Sequence, residues 1–208
     1  QSAATMDKNT GLILWQKNAD QVRSIASITK LMTALVFLDN NPGWDTEITL
    51  EKQDEINGGT NRILRGEVVT VHDIFYTSLI ASDNNATRAL VRSTGVLEEE
   101  FIQKMNNKAK ELNLANTNFV DPTGLKDNNK STALDILSLA KVAFDNQYIN
   151  DAVSKAVYNF QAISGANHKI ISTNKLFNSF LNIKAGKTGF VNASGYCLVA
   201  EVVGEGES

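Results

Sequence analysis

The sequence predicts a mixed α/β protein of the α+β kind, with an antiparallel sheet built from both chain ends, helices packed on it and a mainly helical lobe inserted between them. Three observations carry this. Strand-like segments cluster near the two termini, helical periodicity fills the middle, and no repeat, low-complexity tract or linker divides the 208 residues. One domain is expected over 1–208, as a sheet lobe at about 1–40 and 152–208 and a helical lobe at about 41–151.

Ala3 to Met6 and Leu12 to Gln16 flank Asp7-Lys8-Asn9-Thr10-Gly11, whose Asn and Gly suit a reversing turn, so the chain opens as a β-hairpin. From Ser27 to Leu38 the apolar Ile28, Leu31, Met32, Leu35, Val36 and Leu38 recur at helical spacing, which reads as a largely buried helix. Pro42 and Gly43 break that pattern, and the polar stretch Gln53 to Arg62, with Gly58-Gly59, reads as a long surface loop. Helical patterning resumes over Val71 to Ala81, Ala86 to Arg92, Leu97 to Leu112 and Ala133 to Phe144. The last has Ser131 or Thr132 as N-cap and Asp135 in its first turn. Strand-like pieces return as Ala156 to Phe160, Lys169 to Ser172, Ile183 to Phe190 and Tyr196 to Val203.

Composition narrows the function classes. A net charge of −3 gives no electrostatic case for nucleic acid or an anionic membrane as partner. The longest apolar runs, such as Ala34 to Leu38, fall far short of the roughly 20 residues of a membrane-spanning helix. Cys197 is the only cysteine, so neither an intrachain disulfide nor a thiol metal cluster can form, and its setting reads as a packed, inert thiol in a strand. No metal or cofactor is expected: Asp127-Asn128-Asn129 lacks the glycine and distal glutamate of a calcium loop. His72 and His168 occur without a G-x-S-x-G elbow and are read as capping or solvent-exposed residues. The chain starts at Gln1 without a basic, apolar and small-residue leader pattern, and the expectation is that a leader has been removed.

Three short motifs stand in order: Ser27-Ile28-Thr29-Lys30, Ser82-Asp83-Asn84 and Lys187-Thr188-Gly189. Serine and lysine three apart on a helix share a face, so Lys30 can reach the Ser27 hydroxyl as base to nucleophile. A lysine near its usual pKa of about 10.4 would be protonated and useless, so the reading requires partial burial and a second cation, such as Lys187, to favour neutral Lys30. Ser82 and Asn84, two apart, fall on one side of an extended or turn backbone while Asp83 points away. Ser82 can then relay a proton and Asn84 can hold a substrate carbonyl. Gly189 lies on the Lys187 side of its strand and leaves room for a substrate alongside.

This trio resembles that of penicillin-binding proteins and class A β-lactamases. The likeness to the low-molecular-mass D-alanyl-D-alanine carboxypeptidases and endopeptidases extends further. It runs through Asp7 to Gly11 and Ala26 to Ala34, then Asp121-Pro122-Thr123-Gly124-Leu125, Ser172-Thr173-Asn174 and Gly195 to Ala200. The resemblance implies a β-lactamase/transpeptidase-like fold and attack by Ser27 on the carbonyl between two D-alanines of a peptidoglycan stem peptide. The terminal D-alanine or a cross-linking amine leaves, and the acyl-enzyme is hydrolysed. It further implies an oxyanion hole from the Ser27 and Phe190 backbone N–H groups, and a substrate carboxylate held by Thr188 and Lys187, with Thr173 and Asn174 as further candidates. β-Lactams would be covalent inhibitors and the location extracytoplasmic, periplasmic or at the cell envelope. Members of the family usually continue into another strand and a C-terminal helix after the segment equivalent to Tyr196 to Val203. The chain stops at Ser208 in Gly-Glu-Gly-Glu-Ser, a turn-like end, so that strand and helix are expected to be missing.

The class A β-lactamase alternative needs a deacylating glutamate between the second and third motifs, and no Glu occurs between Leu112 and Ala200. A penicillin-sensing domain that stays acylated can keep all three motifs. The sequence does not separate carboxypeptidase from endopeptidase.

Overall fold

A computed structural model describes residues 1–56 and 61–204. The chain opens as expected: β1 (Ala3–Met6) pairs antiparallel with β2 (Ile13–Lys17). The Asp7 carboxylate accepts the Thr10 N–H (2.7 Å) and hydroxyl (2.6 Å), which fixes the intervening turn. The short β3 (Arg23–Ser24) leads into a 3₁₀ turn, Ala26–Ile28, which runs into helix α1 (Thr29–Leu38). Strands β4 (Glu47–Thr49) and β5 (Val68–Thr70) pair with each other. Helices α2 (Val71–Ile80), α3 (Asn84–Ser93) and α4 (Glu98–Glu111) follow. Then come β6 (Lys130–Ser131), which pairs with β3, and helices α5 (Ala133–Asp145) and α6 (Gln147–Val153). The chain closes with two antiparallel hairpins, β7 (Val157–Gln161) with β8 (Asn167–Ile171) and β9 (Ile183–Val191) with β10 (Gly195–Val202).

The apolar periodicity of α1 has the predicted consequence. Leu31, Met32 and Phe37 are fully buried, and so are the polar Thr29, Lys30 and Thr33. The helix is therefore central, contacting α2, α3, α4, α5 and α6. Phe37 packs on Phe75 of α2 and on Trp44, and Phe101 and Met105 of α4 and Leu139 of α5 complete the same core. Capping follows the sequence: Thr70 and Asp73 form a reciprocal box at the start of α2, and the Thr132 hydroxyl accepts the Asp135 N–H at the start of α5.

The α/β class and antiparallel pairing hold, with three refinements. Helix α6 has no counterpart among the segments with predicted periodicity; it carries only three buried apolar residues, Ile149, Ala152 and Val153, too few for a periodic signal, and Asn146 caps it. The β3–β6 and β4–β5 ladders are likewise too short to read. The terminal hairpins form separate ladders among the described residues. β1 and β10 face each other across a groove lined by Ala3 and Ala4 on one side and Tyr196 to Ala200 on the other. Nearby in sequence, at the β1–β2 turn, Lys8 bridges Glu201 (2.8 Å) and Asp145 (2.9 Å).

The histidines depart from their expected exposure. His72 stacks on Tyr76 at 4.3 Å with Nδ1 3.1 Å from the Tyr158 hydroxyl, and His168 stacks on Phe160 beside Glu67. Cys197 sits in β10, half-buried rather than enclosed. The Gly58-Gly59 part of the predicted loop, and the terminal Glu205 to Ser208, lie outside the described residues.

Candidate active site

The 3₁₀ turn sets Ser27 at the mouth of α1, half-buried and preceded by Ala26 at φ +48°, a left-handed conformation that costs an alanine about 1 kcal/mol or more. One turn on, Lys30 is 1% exposed. Its Nζ lies 3.0 Å from Ser27 Oγ, 2.7 Å from Asn84 Oδ1 and 2.7 Å from the Thr123 carbonyl oxygen. The serine–lysine reach predicted from helical spacing is therefore present. The two other partners come from chain 54 and 93 residues away.

Ser82 and Asn84 occupy the α2–α3 corner. Ser82 adopts φ +57°, which reverses the chain between the helices. Asp83, between Ser82 and Asn84, turns its side chain to the backbone instead: its carboxylate accepts the Ala86 N–H at 2.9 Å as the cap of α3 and the Arg62 N–H at 2.9 Å. Asn84, the first residue of α3, then faces Lys30.

Strand β9 supplies the third wall. Lys187 is buried, donating to Ser82 Oγ at 2.9 Å and to the Thr188 carbonyl at 3.0 Å. A Cβ added to Gly189 would stand 2.8 Å from the Ser27 amide nitrogen, so only glycine lets this backbone approach Ser27 so closely. Phe190, with an exposed side chain, follows directly. The Thr188 hydroxyl lies 2.5 Å from that of Thr173, so these two candidates meet. Asn174 is not presented to solvent: it is 4% exposed, accepts the Leu176 N–H, and packs its amide against Gly186. Lys30 and Lys187 thus flank Ser27 and Ser82 along one seam.

Electrostatics favour neutral lysines, by a route only partly foreseen. Complete burial, not partial, is what lowers Lys30 to about 7, against the opposing pull of the Asp83 and Asp121 carboxylates. Lys187 is pushed well below its ordinary range by burial first and by its neighbour Lys30 second. Repulsion within the pair acts in the same direction as burial and disfavours two charged amines side by side.

Sequence reasoning marked Asp121 to Leu125 as a shared segment but gave the loop Asp121 to Asn129 no part in the site. Its Asp, Pro and Gly mark a turn, but a backbone carbonyl aimed at a lysine leaves no trace in residue types. Among the described residues no group of three or more His, Cys, Asp or Glu side chains can hold a metal, and no helix is long and apolar enough to cross a membrane.

The profile of the D-alanyl-D-alanine carboxypeptidase family matches residues 1–207. The chain belongs to that family. Among curated relatives of this D-alanyl-D-alanine carboxypeptidase family member, a D-alanyl-D-alanine endopeptidase of Haemophilus influenzae is 35% identical over 96% of the chain and 69% of its own length. One of Escherichia coli is 34% identical over 97% of the chain and 66% of its length. A D-alanyl-D-alanine carboxypeptidase of Bacillus subtilis is 31% identical over 96% of the chain and 53% of its length. The chain thus spans between about half and just over two thirds of these relatives. A DD-transpeptidase of Streptomyces superposes with TM-score 0.88 at 29% identity, covering 98% of this chain and 84% of that one.

Proposed function

We propose that this family member is a serine-type D-Ala-D-Ala carboxypeptidase acting on peptidoglycan stem peptides through an acyl-enzyme. The observation that carries it is the contact set of Lys30 Nζ, a fully buried amine 3.0 Å from the Ser27 hydroxyl. Neutral Lys30 takes the hydroxyl proton as Ser27 Oγ attacks the carbonyl between the two D-alanines. The oxyanion is held by the Ser27 and Phe190 N–H groups, which Gly189 allows to converge. Ser82, bonded to Lys187, passes a proton to the departing amine, and the C–N bond breaks with release of D-alanine. Water then attacks the ester, returning the proton to Ser27. Asn84, its Oδ1 engaged by Lys30, turns Nδ2 to a substrate carbonyl.

Thr188, with Thr173 behind it, and Lys187 receive the substrate carboxylate. An arriving carboxylate favours protonated Lys187 and reverses the effect of burial. β-Lactams enter as amide analogues that acylate Ser27. The enzyme works outside the cytoplasm, at the envelope, where its polymer lies. The residues form one catalytic domain whose sheet-rich ends and helical middle meet at the Ser27 seam.

Endopeptidase activity is the second reading, because two of the relatives above bear that name. Incubation with a D-Ala-D-Ala peptide and with whole peptidoglycan separates the cases. Free D-alanine over many turnovers supports carboxypeptidase, and uncross-linked muropeptides support endopeptidase. One-to-one acylation without product indicates a sensor. Ser27→Ala is expected to abolish both cleavage and labelling by a fluorescent penicillin, and retention of either would sink the assignment.

A further inference from the structure

A neutral lysine amine has two N–H bonds and one lone pair, so its use as a base depends on where the lone pair points. At Lys30 two of the three neighbours are carbonyl oxygens, Asn84 Oδ1 and the Thr123 main chain, each at 2.7 Å. Both only accept. With both N–H bonds committed to them, the remaining direction is toward Ser27 Oγ at 3.0 Å, where the lone pair meets the hydroxyl proton. Two acceptors therefore select the orientation in which the third contact runs from Ser27 to Lys30.

The Asn84 acceptor belongs to the second motif. The Thr123 acceptor is a backbone atom and needs something to hold it. The Asp121 carboxylate, 4% exposed, takes five hydrogen bonds. Oδ1 accepts the Thr123 N–H (2.7 Å), the Thr123 hydroxyl (2.5 Å) and the Gly124 N–H (2.8 Å). Oδ2 accepts the Lys126 N–H (2.9 Å) and Asn129 Nδ2 (3.1 Å). A buried carboxylate with this many donors is a rigid hub. The same loop is tied to α1 by the Thr33 hydroxyl, which donates to the Pro122 carbonyl at 2.6 Å, and by Asn129 Nδ2 at 3.2 Å from Thr29 Oγ1. Gly124, at φ +85°, lies so close under Ala26 that an added Cβ would stand 2.1 Å from the Ala26 carbonyl oxygen. One loop thus touches both the lysine and the residue before the nucleophile.

We infer that Asp121 is a positioning residue for the acylation step: it fixes the loop whose Thr123 carbonyl, with Asn84, engages both N–H bonds of neutral Lys30 and aims its lone pair at Ser27. This rests on the reading of Lys30 as the base. The Asp121 charge also opposes the burial that lowers the lysine, so its loss lowers Lys30 further. That separates positioning from mere folding. A looser loop lowers the plateau rate, while the missing charge moves the acid limb of the pH profile to lower pH.

The test measures the second-order rate of Ser27 labelling by a fluorescent penicillin against pH, normalised to the fraction labelled at completion. Wild type, Asp121→Asn, Thr33→Val and Lys30→Ala are compared, with thermal unfolding as a check on folding. Asp121→Asn is expected to keep stoichiometric labelling, to fall roughly 10- to 100-fold in plateau rate, the range for a misplaced reacting group, and to shift its acid limb downward. Thr33→Val loosens the loop without removing charge, so its plateau falls and its acid limb stays. Labelling that survives Lys30→Ala, or is absent from wild type, refutes Lys30 as base. Labelling lost in Lys30→Ala but at the wild-type rate and limb in Asp121→Asn refutes the positioning role alone. If Asp121→Asn does not fold, Thr33→Val decides: a wild-type plateau overturns the inference and a reduced one supports it.

Discussion

Two fully buried lysines on one seam are an unusual investment, and they leave a signature in stability as well as chemistry. Burial lowers both folded-state pKa values, Lys30 to about 7 and Lys187 well below its ordinary range, whereas the unfolded chain titrates both near 10.5. Between those values the unfolded state binds more protons than the folded state. Stability is therefore full above the unfolded value and is lost as pH falls toward the folded one, with a slope of about 1.4 kcal/mol per pH unit per lysine. Denaturant unfolding between about pH 7.5 and 9.5 is expected to show midpoints rising with pH, and Lys187→Met is expected to flatten the rise. A flat wild-type curve would mean that both ammonium groups stay charged when folded. Ser27, Lys30, Ser82, Asn84 and Lys187 were legible because each contributes a side chain at motif spacing. Thr123 was not, since it contributes an oxygen that every residue possesses, and Asp121 acts only through the donors it gathers.

At the scale of elements, α3 shows how a cap and a site residue stand side by side. Asp83 ties the helix start to the Arg62 backbone, and the next residue is Asn84, so helix geometry delivers the amide that faces Lys30. Asp83→Ala is expected to cost about 1–2 kcal/mol, lowering the thermal midpoint by several degrees, and to slow penicillin labelling as the α2–α3 corner frays. Asp83→Asn, which keeps a capping oxygen, is expected to recover most of the midpoint. Equal loss in both variants would assign the effect to charge rather than capping. The long helices α1, α2, α4 and α5 were readable from apolar periodicity and caps, because their buried faces repeat over several turns. Helix α6 and the β3–β6 and β4–β5 ladders were not, because segments of two to seven residues are specified by the packing around them.

At the scale of the molecule, the site is a meeting of distant chain. Lys30 touches residues 54 and 93 positions away, Thr33 reaches Pro122 across 89, and Lys187 reaches Ser82 across 105. The helices that deliver these residues are local structures, whereas the seam needs α1, the α2–α3 corner, the Asp121 loop and β9 together. Contacts of such separation form only after large loop-closure costs have been met, so they come late. Competence for acylation is accordingly a clock for the end of folding. In a refolding experiment, pulses of fluorescent penicillin are expected to mark Ser27 only after far-ultraviolet dichroism has recovered its helical signal, with the lag set by the docking of β9. Labelling that rises in step with the dichroism would show the seam already closed in the first compact state. The close approach of Gly189 to the Ser27 amide is what that lag would report, because β9 completes the wall beside Ser27.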